Sequence, residues 1–239
     1  MTTTDQALTV QDRIDRYWSD RAASYDDHQR RPDRLPLNDA AWEDVWAEAL
    51  PPAPATVLDV GTGSGYVAFR LAALGHDVTA TDRAAGMLER ARQHAGDGTR
   101  VPRFRHGDAV APDFNDGAFD AVVNRYVMWT LRDPVTALAN WRRLLRPGGT
   151  LALVDSTWFP DGLDADTTDD FVRWYDDEVR SALPLAPSRS IGDTADVVAA
   201  AGFRGVTVTP LTRILELDRE YGAAPGHEVR LQFLVRASA

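Results

Sequence analysis

The sequence predicts a single α/β domain. Its core is a seven-stranded, mostly parallel sheet with helices on both faces, under a helical N-terminal cover (residues 1–50) and an inserted cap (residues 156–190). Three observations predict it. From Thr56 onward, short β-branched runs alternate with segments of helical period, the rhythm of strand–helix–strand units. The first strand runs into a glycine-rich turn, Gly61-Thr62-Gly63-Ser64-Gly65. No repeat and no low-complexity linker divides the 239 residues, a length that one core can fill.

Two helices precede the sheet. Ile14, Tyr17, Trp18 and Tyr25 hold helical spacing in the first. Trp42, Val45, Trp46, Ala49 and Leu50 do so in the second, with Asn38 as its cap and Pro51-Pro52 as its stop. Strands are predicted at Thr56–Val60, Asp77–Asp82, Arg100–His106, Phe119–Asn124 and Thr150–Asp155. Helices are predicted between them at Gly65–Leu74, Ala85–Ala95 and Pro134–Leu145, the last halted by Arg146-Pro147-Gly148-Gly149. The rhythm then breaks. Thr157–Pro187 reads as an insertion with one helical stretch through Phe171, Tyr175, Val179 and Leu183. A helix from Asp193 to Ala201 and two late strands, near Gly205–Leu215 and His227–Arg236, complete the chain.

Composition excludes several classes. With 44% hydrophobic and 26% charged residues, this is neither a disordered nor a fibrous sequence. A net charge of −10 disfavours nucleic acid as a partner, because an acidic surface repels phosphates. The absence of cysteine removes disulfides, thiol nucleophiles and thiolate metal sites. The first residues carry acids and no apolar run, and no stretch approaches a membrane span, so a cytoplasmic location without membrane contact is expected.

The glycine-rich turn carries the first chemistry. Glycine tolerates positive φ and lets backbone approach a ligand, and the following helix offers free N–H groups to an anion. Gly61, Gly63 and Gly65 make G-x-G-x-G, and Tyr66 stands where a dinucleotide fingerprint has its last glycine, which counts against NAD. The acid ending the second strand, Asp82, suits a pair of ribose hydroxyls and so indicates an adenosine without choosing its cofactor.

Several motifs together resemble class I S-adenosylmethionine-dependent methyltransferases, of the ubiquinone/menaquinone-methyltransferase-like small-molecule group. They are Asp59-Val60-Gly61-Thr62-Gly63-Ser64-Gly65, Asp82, Gly107-Asp108-Ala109, Phe119-Asp120-Ala121-Val122-Val123 with the residues that follow it, and Leu145-Arg146-Pro147-Gly148-Gly149. The Tyr17-to-Asp26 stretch resembles that group's N-terminal segment, and the likeness extends from Tyr17 to Asp155. It implies a Rossmann-like sheet, S-adenosylmethionine as cofactor, S-adenosylhomocysteine as product, and no metal. Gly61, Thr62, Gly63 and Gly65 would lie under the methionine part, and Asp59 would orient that loop and reach the ammonium. Asp82 would hold the ribose, while Arg83 and Met87 flank the adenine. Gly107, Asp108 and Ala109 would form the adenine site, Asp108 accepting the amino hydrogen. Asn124 and Arg125 would lie near the methyl group, and Tyr25 would close the pocket.

The acceptor pocket is expected over the strand ends and in the cap, from Tyr126, Met128, Trp129, Trp158, Phe159, Trp174 and Tyr175. Seven tryptophans favour a flat or apolar small molecule, with Trp42, Trp46 and Trp141 assigned to the core. Of five histidines, His28 and His227 are the candidates for a general base. His76 reads as structural, His94 as solvated and His106 as packing. The expected reaction is methyl transfer to oxygen or nitrogen of a small aromatic or apolar metabolite, by a monomer or homodimer. The alternatives are a non-methylating rearrangement or cyclisation enzyme that keeps the cofactor, or a silent cofactor-binding protein. Asp155 alone, and the acids of Asp161–Asp177, lack metal-binding spacing.

Overall fold

The computed structural model describes residues 8–96, 100–163, 168–223 and 228–239. Seven strands form one sheet: β1 (Thr56–Val60), β2 (Asp77–Asp82), β3 (Arg103–His106), β4 (Phe119–Arg125), β5 (Leu145–Asp155), β6 (Arg204–Pro210) and β7 (Phe233–Ser238). Their spatial order is β3-β2-β1-β4-β5-β7-β6. β1 pairs in parallel with both β2 and β4, and β7 runs antiparallel to its two neighbours. The order reverses between β1 and β4, which opens a crevice at the carboxyl ends of the strands where such sheets take ligands.

Alternation along the strands feeds two cores. Val57, Ala152 and Val154 face one side, under α2 (Leu35–Ala49), α3 (Tyr66–Ala73) and α9 (Thr212–Tyr221), where Trp46 and Leu71 are wholly buried. Leu58, Val60, Leu151 and Leu153 face the other, under α5 (Pro134–Leu144) and α8 (Ile191–Ala200), around Trp141 and Val198. Both faces are covered, so these strands carry apolar side chains on both faces. Trp42, Trp46 and Trp141 are core residues, as the helical spacing predicts.

The cover is α1 (Val10–Gln29), which begins at a capping box between Thr9 and Asp12 and lies across α4 (Ala85–His94). Gly86 permits that approach: a Cβ there would stand 2.5 Å from the Ser19 carbonyl oxygen. α1 also packs on the cap, where Tyr17, Trp129, Phe159, Phe171 and Tyr175 share a cluster. The Phe171 and Tyr175 rings stack at 4.4 Å.

Four expectations are corrected. Asn38 is no cap, because α2 begins earlier, at Leu35; it is buried and its Oδ1 accepts from Arg34 Nε. The insertion holds two short helices rather than one, α6 (Asp169–Trp174) and α7 (Asp177–Ser181). Asp176 caps the second by accepting from Val179 N–H, which breaks the continuous period. The strand expected to reach Leu215 stops at Pro210, and α9 follows, presenting Ile214 and Asp218 one turn apart on its buried face. The last strand is β7, starting at Phe233 instead of His227, and His227 itself lies outside the described residues.

α9 is tied down by a buried polar knot. Arg34 donates to Asp218 Oδ1 and to the Gly222 carbonyl, and Gln232 Nε2 donates to Asp218 Oδ2 at 2.7 Å. Removing one member strands a buried charge, whereas replacing both members of the pair does not. Arg34→Met should therefore lower the urea-unfolding free energy by about 3–5 kcal/mol. The double change Arg34→Met with Asp218→Leu should recover most of that loss in the same measurement.

Candidate functional site

The cleft is built where β1 and β2 end. β1 carries buried Asp59 to its tip, and Asp59 Oδ2 accepts from the Thr62 hydroxyl at 2.7 Å. The chain then turns through Gly61 at φ +68, where a Cβ would stand 2.5 Å from Val127 Cγ2, so both backbone and space require glycine. Gly63 N–H donates to Asp82 Oδ2 at 2.8 Å, and Ala84 N–H donates to Asp82 Oδ1 at 2.8 Å. One carboxylate thus joins the loop after β1 to the loop after β2. Gly65 serves packing instead: it lines neither of the two cavities described below, and a Cβ would press on the Phe104 and Phe69 rings at 3.0 Å.

A cleft of about 1000 Å³, including the space at its mouth, runs along this edge. Asp59, Gly61, Thr62 and Gly63 line one end; Asp82, Arg83, Met87, Gly107, Asp108 and Ala109 line the other. Arg125 and Tyr25 also border it. Met87 belongs as well to a small cluster with Ala22 and Ala84, so it is both packing and lining. Asn124 differs from expectation. It is wholly buried, lines neither cavity, and its amide has no hydrogen-bond partner among the described residues. Strand alternation sends it and its neighbour Arg125 to opposite sides.

The α1 contribution was mostly hidden in the sequence. Gln11, Asp15, Trp18 and Gln29 line the cleft from α1, and Ser64, Val127 and Leu131 from the loops. Arg83 clasps cover to floor, with Nε at 2.9 Å from Asp15 and Nη1 at 3.0 Å from Asp108. Beyond Tyr25, only the helical period of α1 was legible; which other residues of α1 meet the cleft depends on the packing against α4. His94 is not free in solvent but sits 2.7 Å from Asp26 Oδ2. Burial works to raise the Asp26 carboxyl, yet hydrogen bonds from His94 and Ser64 and the nearby charges of His94 and Arg30 hold it below its ordinary value. His76 is buried, and His106 is exposed at the end of β3.

A second cavity adjoins the first, about 700 Å³ with its mouth, and shares Trp18, Tyr25, Gln29, Arg125 and Tyr126 with it. Trp42, Trp129 and Trp158 give it aromatic walls, and His28 lines it. Desolvation, then the charges of Arg31 and Arg34, lower the His28 pKa, which keeps its ring neutral at pH 7. Tyr126, Trp129 and Trp158 therefore stand where an acceptor pocket was expected. Met128, Phe159, Trp174 and Tyr175 line neither cavity. Met128 is buried beneath α5, Phe159 and Tyr175 are consumed by the ring cluster that fastens the cap to α1, and Trp174 packs against that cluster. Tyr126 adopts φ +65, a left-handed conformation that is costly for a bulky residue. Its N–H donates to the Val154 carbonyl and its hydroxyl to Gln232 Oε1.

No group of three or more metal-ligating side chains occurs among the described residues. Asp155 is wholly buried and accepts from Ser156 N–H and Trp158 Nε1.

Burial pushes Asp59 up to about 7 and Asp82 up to about 6, from an ordinary 3.8. Each group therefore holds a proton in the fold that the unfolded chain has released. Its contribution to stability is fully present below about pH 4 and is lost as pH rises through 6 to 7. Asp59→Asn escapes this loss. Its melting temperature relative to the unmodified protein should rise between pH 5 and pH 8 in ligand-free thermal scans.

Residues 58–153 match the family described as "Methyltransferase domain". The chain is 39% identical to a demethylmenaquinone methyltransferase of Deinococcus radiodurans over 46% of each chain. It is 33% identical to one from Mycolicibacterium gilvum over 70% of this chain and 68% of that protein. Several of these matches span only about half the length of the relative. Among solved structures, the cyclase SpnF superposes with a TM-score of 0.70 at 17% identity, covering 97% of both chains; this is a likeness of fold. The cleft at the switch of strand order and the kinship with the Mycolicibacterium protein lead to one statement: the chain belongs to the class I S-adenosylmethionine-dependent methyltransferases.

Proposed function

We propose that this protein transfers a methyl group from S-adenosylmethionine to an oxygen or nitrogen of a small aromatic acceptor of quinone-like shape. The observation that carries this reading is the aromatic cavity that opens onto the cofactor cleft across Arg125 and Tyr126. The names of the relatives, demethylmenaquinone methyltransferases, support a flat, ring-bearing acceptor. No helix among the described residues is long and apolar enough to cross a membrane.

The cleft fits the cofactor. Glycine backbone at Gly61 and Gly63 leaves room for close approach, and desolvated carboxylates at Asp59 and Asp82 suit a ligand bearing an ammonium, a sulfonium and ribose hydroxyls. When bound, the cofactor supplies a methyl group on a positively charged sulfur that is already a good leaving group. The protein's work is then alignment and exclusion of water. Asp82 holds the ribose with lone pairs left over from Gly63 and Ala84, and Asp108 receives the adenine amino group. Trp18 and Tyr25, shared by both cavities, cover the junction from α1. His28, neutral and on the acceptor cavity, takes the proton that an O–H or N–H acceptor releases.

Calorimetric titration with S-adenosylhomocysteine tests the cofactor site: binding is expected, and Asp82→Ala should weaken it by about 1–3 kcal/mol, the cost of unpaired buried polar groups. His28→Gln should lower kcat by about 10²–10⁴-fold and abolish the acid-side fall of the kcat–pH profile, which in the unmodified protein marks protonation of this ring. The fold also supports a cofactor-retaining cyclisation or rearrangement. Product mass separates the two, since transfer adds one methyl and rearrangement leaves the mass unchanged.

A further inference from the structure

The charges around the acceptor cavity cancel with one exception. Arg34 is paired with Asp218, and Glu228 with Arg230. Arg125, half-buried on the wall shared by both cavities, makes no ion pair among the described residues. Its one hydrogen bond there is to neutral Gln29 Oε1 at 2.9 Å. Its guanidinium is instead held by aromatic faces, 4.9 Å from the ring centroids of Trp42 and Tyr66 and 4.8 Å from that of Tyr126. Aromatic faces fix a cation in place and partly offset its desolvation, but they leave its N–H donors in the ring plane without an anion. Asp59 and Asp218 feel its charge, but neither makes an ion pair with it, so a desolvated cation held rigid on the aromatic wall has the form of half an ion pair.

We infer that Arg125 is the anion-binding residue of the acceptor cavity, and that the acceptor is a flat aromatic or conjugated molecule bearing an anionic oxygen, such as a carboxylate or phenolate, which pairs with this guanidinium. The inference rests on the methyltransferase reading and names its acceptor class. The cofactor's own carboxylate is the competing anion. The surroundings favour the acceptor, because Trp42 lines the acceptor cavity and not the cofactor cleft. Arginine also suits the task, since its fork can give a carboxylate two parallel hydrogen bonds.

The test compares 2-naphthoate with its neutral isostere 2-naphthamide by calorimetric titration, on the full chain alone and saturated with S-adenosylhomocysteine. Naphthoate should bind about tenfold tighter or more in both states, the worth of a hydrogen bond to a charged group. Arg125→Met should erase the preference. If that variant does not fold, 6-bromo-2-naphthoate soaked into crystals of the unmodified protein should place its carboxylate on Arg125, located by the bromine signal. Equal affinity for the two probes, binding of neither, a preference that survives Arg125→Met, or a soaked carboxylate elsewhere would overturn the inference. So would a preference that vanishes once S-adenosylhomocysteine is bound, since the guanidinium would then belong to the cofactor. In each of those cases S-adenosylhomocysteine still binds and the methyltransferase reading stands. If it does not bind, that reading falls and the inference with it.

Discussion

Two backbone N–H groups, from Gly63 and Ala84, converge on the Asp82 carboxylate, and the geometry of the cleft depends on that junction. A carboxylate at the end of a buried strand is costly unless donors meet it. Here the donors come from the loops of two successive strand–helix units, so the interaction that settles the charge also sets the spacing of the loops. Burial still leaves Asp82 and Asp59 reluctant to ionise. Such carboxylates gain most from a ligand that brings positive charge and hydroxyl donors.

The roof over this floor is held largely by polar ties. Arg83 joins α1 to the loop after β3 through Asp15 and Asp108, and Asp26 joins α1 to α4 through His94 and to the glycine loop through Ser64. The apolar contact beneath is small: Ala22, Ala84 and Met87, with Gly86 allowing the helices to touch. The cap contributes differently. Apart from Trp158, its rings pack into the cluster with Tyr17 and Trp129, Tyr175 meeting Tyr17 edge-on and stacking on Trp129, so it supports the α1 cover more than it lines a pocket.

The second cavity depends on the end of β4. Arg125 and Tyr126 leave the sheet there, Tyr126 in a left-handed conformation maintained by the Val154 carbonyl and by Gln232. Strain at such a point persists only where the surroundings over-determine it. The hydroxyl contact joins the Gln232–Asp218–Arg34 knot, so the wall between the cavities is braced by the same residues that anchor α9.

The sequence was most legible where local chemistry and periodicity agreed. Strand ends at Val60 and Asp82, the helix at Ala85, the glycine turn and the acids Asp59, Asp82 and Asp108 were readable because each is decided within a few residues. α9 was lost because β-branched Val206, Val208 and Thr209 ran straight into its start, and only Pro210 marked the change. The aromatic residues show the same limit. Trp158 and Phe159 are adjacent, yet one lines a cavity and the other fills a core, since composition reports that a ring is apolar and not which space it occupies. Likewise, sequence alone determined that an arginine follows Asn124. Only the tertiary structure set it among three aromatic faces, with no ion pair among the described residues, because the partners of a charge come from segments that are far apart in the chain.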